Sequence, residues 1–312
     1  MANGGTFFTF WLGNLDILAY ATGGASNPDI LTNAQDFQAR LNLALGSMLG
    51  ANPDAKGVVL NIPGVNSLPH FDLIDPLNIN VPASVRPALN AGLTQINAAI
   101  NGWNGAVAAN PGIPEEVKPS LLRPVLSTDF DAYALLILDP SLSDAAIPLP
   151  TGGTFEIPKI RNLTDDDGVK IPLVAQAALE QGVGISPLTP LNESQYDHVY
   201  LTMAEQEEIT AHVNNFNNIL AAAVAANDDR LLLVDANAYL NEINEGLISA
   251  NGIPLTSSII PPNGAFSVDG VHPNARAHAF LANYIIDGIN EKWQANIPKT
   301  NPNAFPGNDL PR

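Results

Sequence analysis

The sequence predicts an α/β protein, a three-layer α/β/α sandwich built around a mostly parallel sheet. Three short apolar runs have the composition of buried strands, and helical periods separate them: residues 6–12, 57–62 and 230–236. Because parallel strands are joined by long crossovers, this alternation favours helices packed against the sheet. Hydrophobic residues make up 46% of the chain and charged residues 14%, which is typical of a globular protein with a large core.

The first part of the chain alternates between the two kinds of element. Residues 6–12 are aromatic, β-branched and continuously apolar up to Gly13, a pattern typical of a parallel strand covered on both faces. Residues 33–52 have a helical period with an apolar stripe. Residues 57–62 repeat the strand pattern and end at Pro63 and Gly64.

The middle of the chain is interpreted as a long excursion at about residues 72–200. Residues 88–110 have a helical period and residues 132–138 have strand character, whereas residues 140–200 are rich in Pro, Gly and Asp without a clear period. Thr202 and Glu205 form a capping-box pattern before a long helix, and a final helix is predicted at 274–293. We therefore interpret residues 1–312 as one domain with an excursion.

The charge of the chain narrows the classes of partner. The formal net charge of −18 repels phosphate backbones, so nucleic acid is excluded as a partner. No apolar run approaches the roughly 20 residues of a membrane-spanning helix. The acidic, Asn-rich and lysine-poor composition favours an exported protein, of the periplasm, the outer-membrane surface or the medium, whose leader lies outside this chain.

The segment FSVDGVHPNARAHAF, residues 266–280, places Asp269 and His272 three residues apart in a turn before a helix. A carboxylate can hold an imidazole in one tautomer and stabilise its protonated form, while the other ring nitrogen takes a proton from a nucleophile. The alternative is that Asp269 caps turn amides and His272 is solvated. Pro273 and the helix that follows favour the acid–base interpretation.

No other set of side chains predicts a metal or cofactor site. Four histidines are interpreted as solvated or packed, because no pair has zinc-ligand spacing with a third ligand: His70, His198, His212 and His278. The acidic segment TDDDGVK, residues 164–170, lacks the alternating ligands of a calcium loop and is predicted to be an exposed turn.

Two segments carry a resemblance to a known family. FWLGNLDIL, residues 10–18, and the segment that begins at residue 266 resemble the third and fifth conserved blocks of the SGNH (GDSL-type) lipases and esterases, of the exported bacterial type. The resemblance implies a flavodoxin-like sandwich and a serine ester hydrolase without a cofactor. It also implies that Asp269 and His272 are the acid and the base of a catalytic triad.

The third block departs from the family pattern Gly-x-Asn-Asp. Gly13 and Asp16 match its first and last positions, but Leu15 stands where the family has an asparagine that helps to bind the oxyanion. Asn14 lies one place early, and the strand-like context predicts that its side chain is turned away from the site.

The nucleophile block Gly-Asp-Ser of the family is not found in this sequence. None of five serines has the required strand setting: Ser26, Ser67, Ser143, Ser186 and Ser267. We therefore expect the nucleophile and the first strands of the sheet to come from an N-terminal fragment or a partner chain. The strand at 6–12 would then be internal. Its free side would be covered by such a fragment or partner chain, by a symmetry mate, or by a strand from the middle of the chain, for which residues 132–138 are the best candidate.

Three functions are compatible with these patterns. The first is hydrolysis of a small-molecule, lipid or glycan ester by a serine from outside the chain, with the chain alone inactive. The alternative is an impaired member of the fold that binds a glycan, lipid or protein at the cell surface. The third is a surface assembly subunit that uses the Pro-rich middle as its interface.

Overall fold

The computed structural model describes residues 5–250 and 252–308 as a mixed α/β structure. The chain forms two compact units, of which the first comprises Met1–Leu73 with Ala204–Arg312 and the second Ile74–Met203. The excursion predicted at about 72–200 therefore coincides with a compact unit of its own. That the whole chain is one SGNH-like domain stays a prediction.

The helices and strands are numbered in chain order. The helices are α1 (Asn14–Thr22), α2 (Ala34–Ala51), α3 (Arg86–Ala109), α4 (Lys118–Leu121), α5 (Gln176–Glu180), α6 (Met203–Ala225), α7 (Ala236–Asn244) and α8 (Ala275–Trp293). The strands are β1 (Phe7–Phe10), β2 (Lys56–Leu60), β3 (Leu136–Leu138), β4 (Ala146–Pro148), β5 (Thr154–Glu156), β6 (Ile160–Asn162), β7 (Leu231–Val234), β8 (Ser249–Ala250) and β9 (Ile253–Pro254). The predicted long helices and the three predicted parallel strands are all present, with ends that differ by a few residues.

A parallel sheet of three strands, in the order β1-β2-β7, forms the centre of the first unit. β1 is thus an edge strand, and no strand among residues 5–250 and 252–308 pairs with its outer side. The prediction that residues 132–138 cover this side is wrong. Those residues instead contribute β3, which pairs antiparallel with β6 inside the second unit, where Leu136 is fully buried.

Helices of the first unit bury their apolar stripes against the sheet and against one another. The α8 helix lies over the face of the sheet that carries Leu232, and its Trp293 ring meets Phe7 edge-on at 6.0 Å. Phe37 of α2 and Phe216 of α6 stack with their ring centroids 4.0 Å apart. This packing explains why the apolar period of each helix was readable in the sequence.

A close contact joins the edge strand β1 to the central strand β2. Phe8 of β1 is the register partner of Gly57 of β2, and the Phe8 ring occupies the space that a side chain at position 57 would need. The glycine therefore makes room for an aromatic ring on the neighbouring strand.

The second unit has its own core and an ion-pair cluster that we call the Arg161 cluster: Arg161, Asp139 and Asp167. The guanidinium donates to Asp139 at 2.6 Å and to both oxygens of Asp167 at 2.6 and 2.7 Å. The Arg161 hydrogen bonds lower the pKa of the Asp167 carboxyl to about 2, although burial opposes the shift. Asp167 belongs to the segment predicted as an exposed turn, whereas its side chain is mostly buried.

No described helix combines the length and the hydropathy that crossing a membrane requires.

Candidate active site

A hydrogen-bonded turn, which we call the acid–base turn (residues 267–272), lies directly before α8. Its two ends are held together by an antiparallel bridge between Phe266 and Pro273, and the Ser267 N–H donates to the His272 carbonyl at 2.7 Å. Asn274 then caps α8, because its side chain accepts from the Ala277 N–H at 3.0 Å. Backbone hydrogen bonds and the helix cap therefore fix both ends of the turn.

The Asp269 carboxylate organises the turn. His272 Nδ1 lies 2.7 Å from Asp269 Oδ2, so the predicted hydrogen bond between the two side chains is confirmed. The other oxygen, Oδ1, accepts from the Ser267 hydroxyl at 2.6 Å and from the Val271 and His272 N–H groups at 2.9 and 3.0 Å. The capping role offered as the alternative is thus also present, and the same carboxylate performs both.

The Asp269 carboxyl is ionised near neutral pH. Burial raises its pKa, but the hydrogen bonds from Ser267, Val271 and His272 outweigh burial and hold the pKa well below its usual range. A carboxylate can only accept, so the proton of the 2.7 Å contact lies on His272 Nδ1. The ring of a neutral His272 then has Nε2 as its basic nitrogen, and its side chain is 77% exposed.

An apolar cleft of about 480 Å³ lies beside the imidazole. Its walls come from the loops after β1 and β2, from α1, α7 and α8, and from the acid–base turn. The lining side chains are mostly aliphatic or aromatic: Trp11, Leu15, Leu18, Val65, Leu68, Tyr239, Leu240, Ile243, Phe266, Val271 and Leu281, with Asn14, His272 and His278 as polar members. Within residues 5–250 and 252–308 no serine lines the cleft, and the Ser267 hydroxyl donates to Asp269.

The segment Gly13–Asp16 begins a helix rather than ending a strand. Gly13 has φ +107°, where only glycine is at ease, and it caps α1. Asn14 and Leu15 are therefore consecutive residues of a helical turn, and both line the cleft with His272. The expectation that the Asn14 side chain is turned away assumed the alternation of a strand, which a helical turn does not have, so its basis is removed. Asp16 accepts from Thr32 at 2.6 Å, outside the cleft lining.

A polar network joins the carboxyl ends of β2 and β7. Asn61 donates to Asp235 at 2.7 Å and accepts from the Asn237 N–H at 2.9 Å, while the Trp11 indole donates to the Asn61 carbonyl at 3.1 Å. The Asn237 side chain in turn accepts from the Gly64 N–H at 2.7 Å. Asn61 was not among the predicted site residues, although an amide within the apolar run VVLNIP is a signal for it.

One of the histidines set aside above lies against the acid–base turn. His70 is 5% exposed, and its Nδ1 is 2.8 Å from the Asp269 carbonyl oxygen. Of the other three, His278 lines the cleft, with Nδ1 3.0 Å from the Asn274 carbonyl. No described group of three or more His, Asp and Glu side chains is placed to hold a metal ion.

Comparisons of the chain with protein-family models, curated proteins and solved structures give no match. The interpretation of the site therefore depends on its geometry: an aspartate, a histidine with a free basic nitrogen, and an apolar cleft at the carboxyl ends of parallel strands. In open α/β sheets this end is where ligands bind.

Proposed function

We propose that this chain supplies the acid–base half of an SGNH-type serine ester hydrolase with a flavodoxin-like α/β/α fold. The observation that carries the proposal is the 2.7 Å contact between His272 Nδ1 and Asp269 Oδ2 beside an apolar cleft. The parallel three-stranded sheet with α8 on one face supports the fold part of the proposal. No serine is among the described residues that line the cleft, so we assign the nucleophile to residues outside this chain.

The proposed reaction uses His272 as a general base and then as a general acid. Its Nε2 takes the proton of the serine hydroxyl as the oxygen attacks the ester carbonyl, and it returns that proton to the leaving alcohol oxygen. Asp269 accepts the hydrogen bond from His272 Nδ1–H throughout the reaction. It stabilises the imidazolium without itself becoming protonated. Its lowered pKa keeps it anionic for this task.

The oxyanion of the tetrahedral intermediate needs hydrogen-bond donors from the same end of the sheet. Asn14 is among the residues that line the cleft and carries a side-chain amide, and the first N–H groups of α1 have no partner within the helix. The Leu15 side chain offers no donor. We therefore expect a weaker oxyanion site than the family pattern provides, and no cofactor takes part.

The lining of the cleft indicates the substrate. Aliphatic and aromatic walls favour an ester with an apolar acyl or alcohol part, which suits a lipid better than a glycan.

We further propose that the protein is exported and that another chain segment completes its sheet. An N-terminal fragment or a partner chain would add a strand to the free side of β1 and present its serine to His272.

Labelling with a fluorophosphonate probe tests the proposal. In the complete gene product we expect one labelled serine that lies outside residues 1–312, and we expect the label to be lost in the His272→Gln variant. The purified chain alone should neither react with the probe nor hydrolyse p-nitrophenyl butyrate. A labelled serine within residues 1–312, or the absence of any label in the complete product, would contradict the proposal.

A binding protein of the same fold is the second candidate, and two observations favour it. Leu15 is 73% exposed at the cleft where the family has an amide, and none of the cleft-lining residues that the structure describes is a serine. If the protein is a binder, the purified chain alone should bind decanoate. Quenching of Trp11 fluorescence would report the binding. The Trp11→Phe variant is the control, because the chain contains two other tryptophans, Trp103 and Trp293.

A further inference from the structure

His70 approaches the acid–base turn from a segment 199 residues earlier in the chain. It lies in the short 3-10 turn Pro69–Phe71, which follows β2 and the cleft residues Val65 and Leu68. Its N–H donates to the Gly270 carbonyl at 3.1 Å, and its ring Nδ1 is 2.8 Å from the Asp269 carbonyl oxygen. Backbone and side chain of one residue thus hold two successive peptide groups of the turn.

The contact determines the protonation of the His70 ring. A carbonyl oxygen can only accept, so Nδ1 carries the hydrogen and donates it to Asp269 O. In the neutral ring Nε2 is then an acceptor, and this atom is buried with no hydrogen-bond partner among the described residues. A phenylalanine would fill the same space without a buried unpaired nitrogen. Packing therefore does not explain a histidine here, whereas the Nδ1–H donor does.

Gly270 makes this approach possible. Its φ of +69° belongs to the left-handed region, and a Cβ atom there would lie 2.5 Å from the His70 nitrogen and 2.8 Å from its Cα. The turn and the His70 segment are consequently in backbone contact directly beside the Asp269 carboxylate. A change in the position of His70 would be transmitted to Asp269 through a rigid contact.

We infer that His70 is a positioning residue, which orients Asp269 so that its carboxylate holds His272 in the Nδ1–H tautomer. The role is analogous to the partners that orient the histidine ligands of metal sites. The inference rests on the proposed acid–base function of Asp269 and His272. His70 itself is not among the residues that line the cleft, so its effect is indirect.

Three variants separate the hydrogen bond from packing. His70→Asn places an amide donor near the position of Nδ1, His70→Gln places it near Nε2, and His70→Phe keeps the ring volume without a donor. If the Nδ1–H bond positions Asp269, Asn should preserve the site while Gln and Phe should not. If only volume matters, Phe should be the best replacement and Asn the worst.

The tautomer of His272 is the readout, measured by long-range ¹H–¹⁵N correlation spectra of the labelled chain at a pH where the imidazoles are neutral. We expect the Nδ1–H tautomer in the wild type and in His70→Asn, and a mixture of tautomers in His70→Gln and His70→Phe. His212→Gln, on α6, is the matched control and should leave the His272 signals unchanged. Thermal unfolding of each variant checks that it folds.

Two results would overturn the inference: an unchanged His272 tautomer in His70→Gln and His70→Phe, or equal loss in His70→Asn and His70→Gln. In the complete enzyme we expect kcat to fall about 10–100-fold in His70→Gln with KM unchanged, and to be retained in His70→Asn. Because the spectra require no turnover, an inactive wild type would contradict the proposed function alone and leave this inference to be decided by the tautomer.

Discussion

The acid–base turn of the first unit and the Arg161 cluster of the second both hold a carboxylate whose pKa is lowered, but only in the acid–base turn is its charged side-chain partner a group that can exchange a proton. In the Arg161 cluster the carboxylates of Asp139 and Asp167 share one guanidinium, a group that does not lose its proton. In the acid–base turn the Asp269 partner is an imidazole that is 77% exposed and has a second, basic nitrogen. A lowered pKa therefore does not identify an active site unless a group that can exchange a proton faces a cleft.

The largest expected effect is a fall in kcat when Asp269, but not Asp167, loses its carboxylate. In the complete enzyme, Asp269→Asn should lower kcat for p-nitrophenyl butyrate by up to about 10⁴-fold, because an amide in place of a carboxylate favours the wrong imidazole tautomer. Asp167→Asn, assayed below its unfolding temperature, is the matched control and should leave kcat unchanged. Equal losses in the two variants would remove the distinction drawn between the sites.

The second largest expected effect is a loss of stability when the Arg161 cluster loses one carboxylate. Asp167→Ala should lower the free energy of unfolding by about 2–3 kcal/mol, because it leaves a partly buried guanidinium with Asp139 as its remaining ionic partner. Urea denaturation measures the change. Asp165→Ala, in the same short turn but exposed, should change stability by less than about 0.5 kcal/mol. A similar loss in both variants would mean that the turn, not the ion pair, is responsible.

Acid should weaken the Arg161 cluster in a defined direction. The pKa of Asp167 is about 2 in the folded chain and near 3.8 when unperturbed, so the folded state binds its proton less tightly. The corresponding stability is fully present above the unperturbed pKa and is lost as the pH falls through the folded value. Unfolding free energies measured from about pH 5 to pH 2 should fall more steeply in the wild type than in Asp167→Asn. Parallel curves would contradict this assignment.

The smallest effect concerns the oxyanion side of the cleft. Leu15→Asn in the complete enzyme should raise kcat by about tenfold at most, well below the effect of a buried donor, because Leu15 is 73% exposed and Asn14 already lines the cleft. Leu15→Ala, which removes the leucine without adding a donor, is the control. An equal gain in Leu15→Ala would show that relief of crowding, not the amide, raises the rate.

The parts of the fold that could be predicted were those with local signals. The strand at Lys56–Leu60 and the helix at Ala275–Trp293 follow from apolar period and from caps such as Asn274, which lie next to the elements they define. Residues 132–138 have the composition of a strand that suits either sheet, so sequence could not assign their partner. Their pairing with Ile160–Asn162 is decided by tertiary contacts in the second unit.

The residues of the candidate site also divide into those with a local sequence signal and those without one. Asp269 and His272 are three residues apart in one turn, so their contact was predictable from spacing and from the helix that follows. His70 meets Asp269 across 199 residues, and no local pattern marks it as different from a packed loop histidine. The expectation for Asn14 assumed a strand, whereas β1 ends at Phe10 and a glycine at φ +107° precedes the start of a helix at Asn14.

The aromatic ring of Phe8 over Gly57 has an evolutionary consequence. Position 57 cannot enlarge alone, since a side chain there would occupy the space of the ring. The two sites must therefore change together, by an exchange of volume between neighbouring strands: where a homologous chain carries a larger residue at the second position, it should carry a small one at the first. Paired substitutions of this kind would record the register of β1 and β2 in related sequences, independently of any catalytic residue.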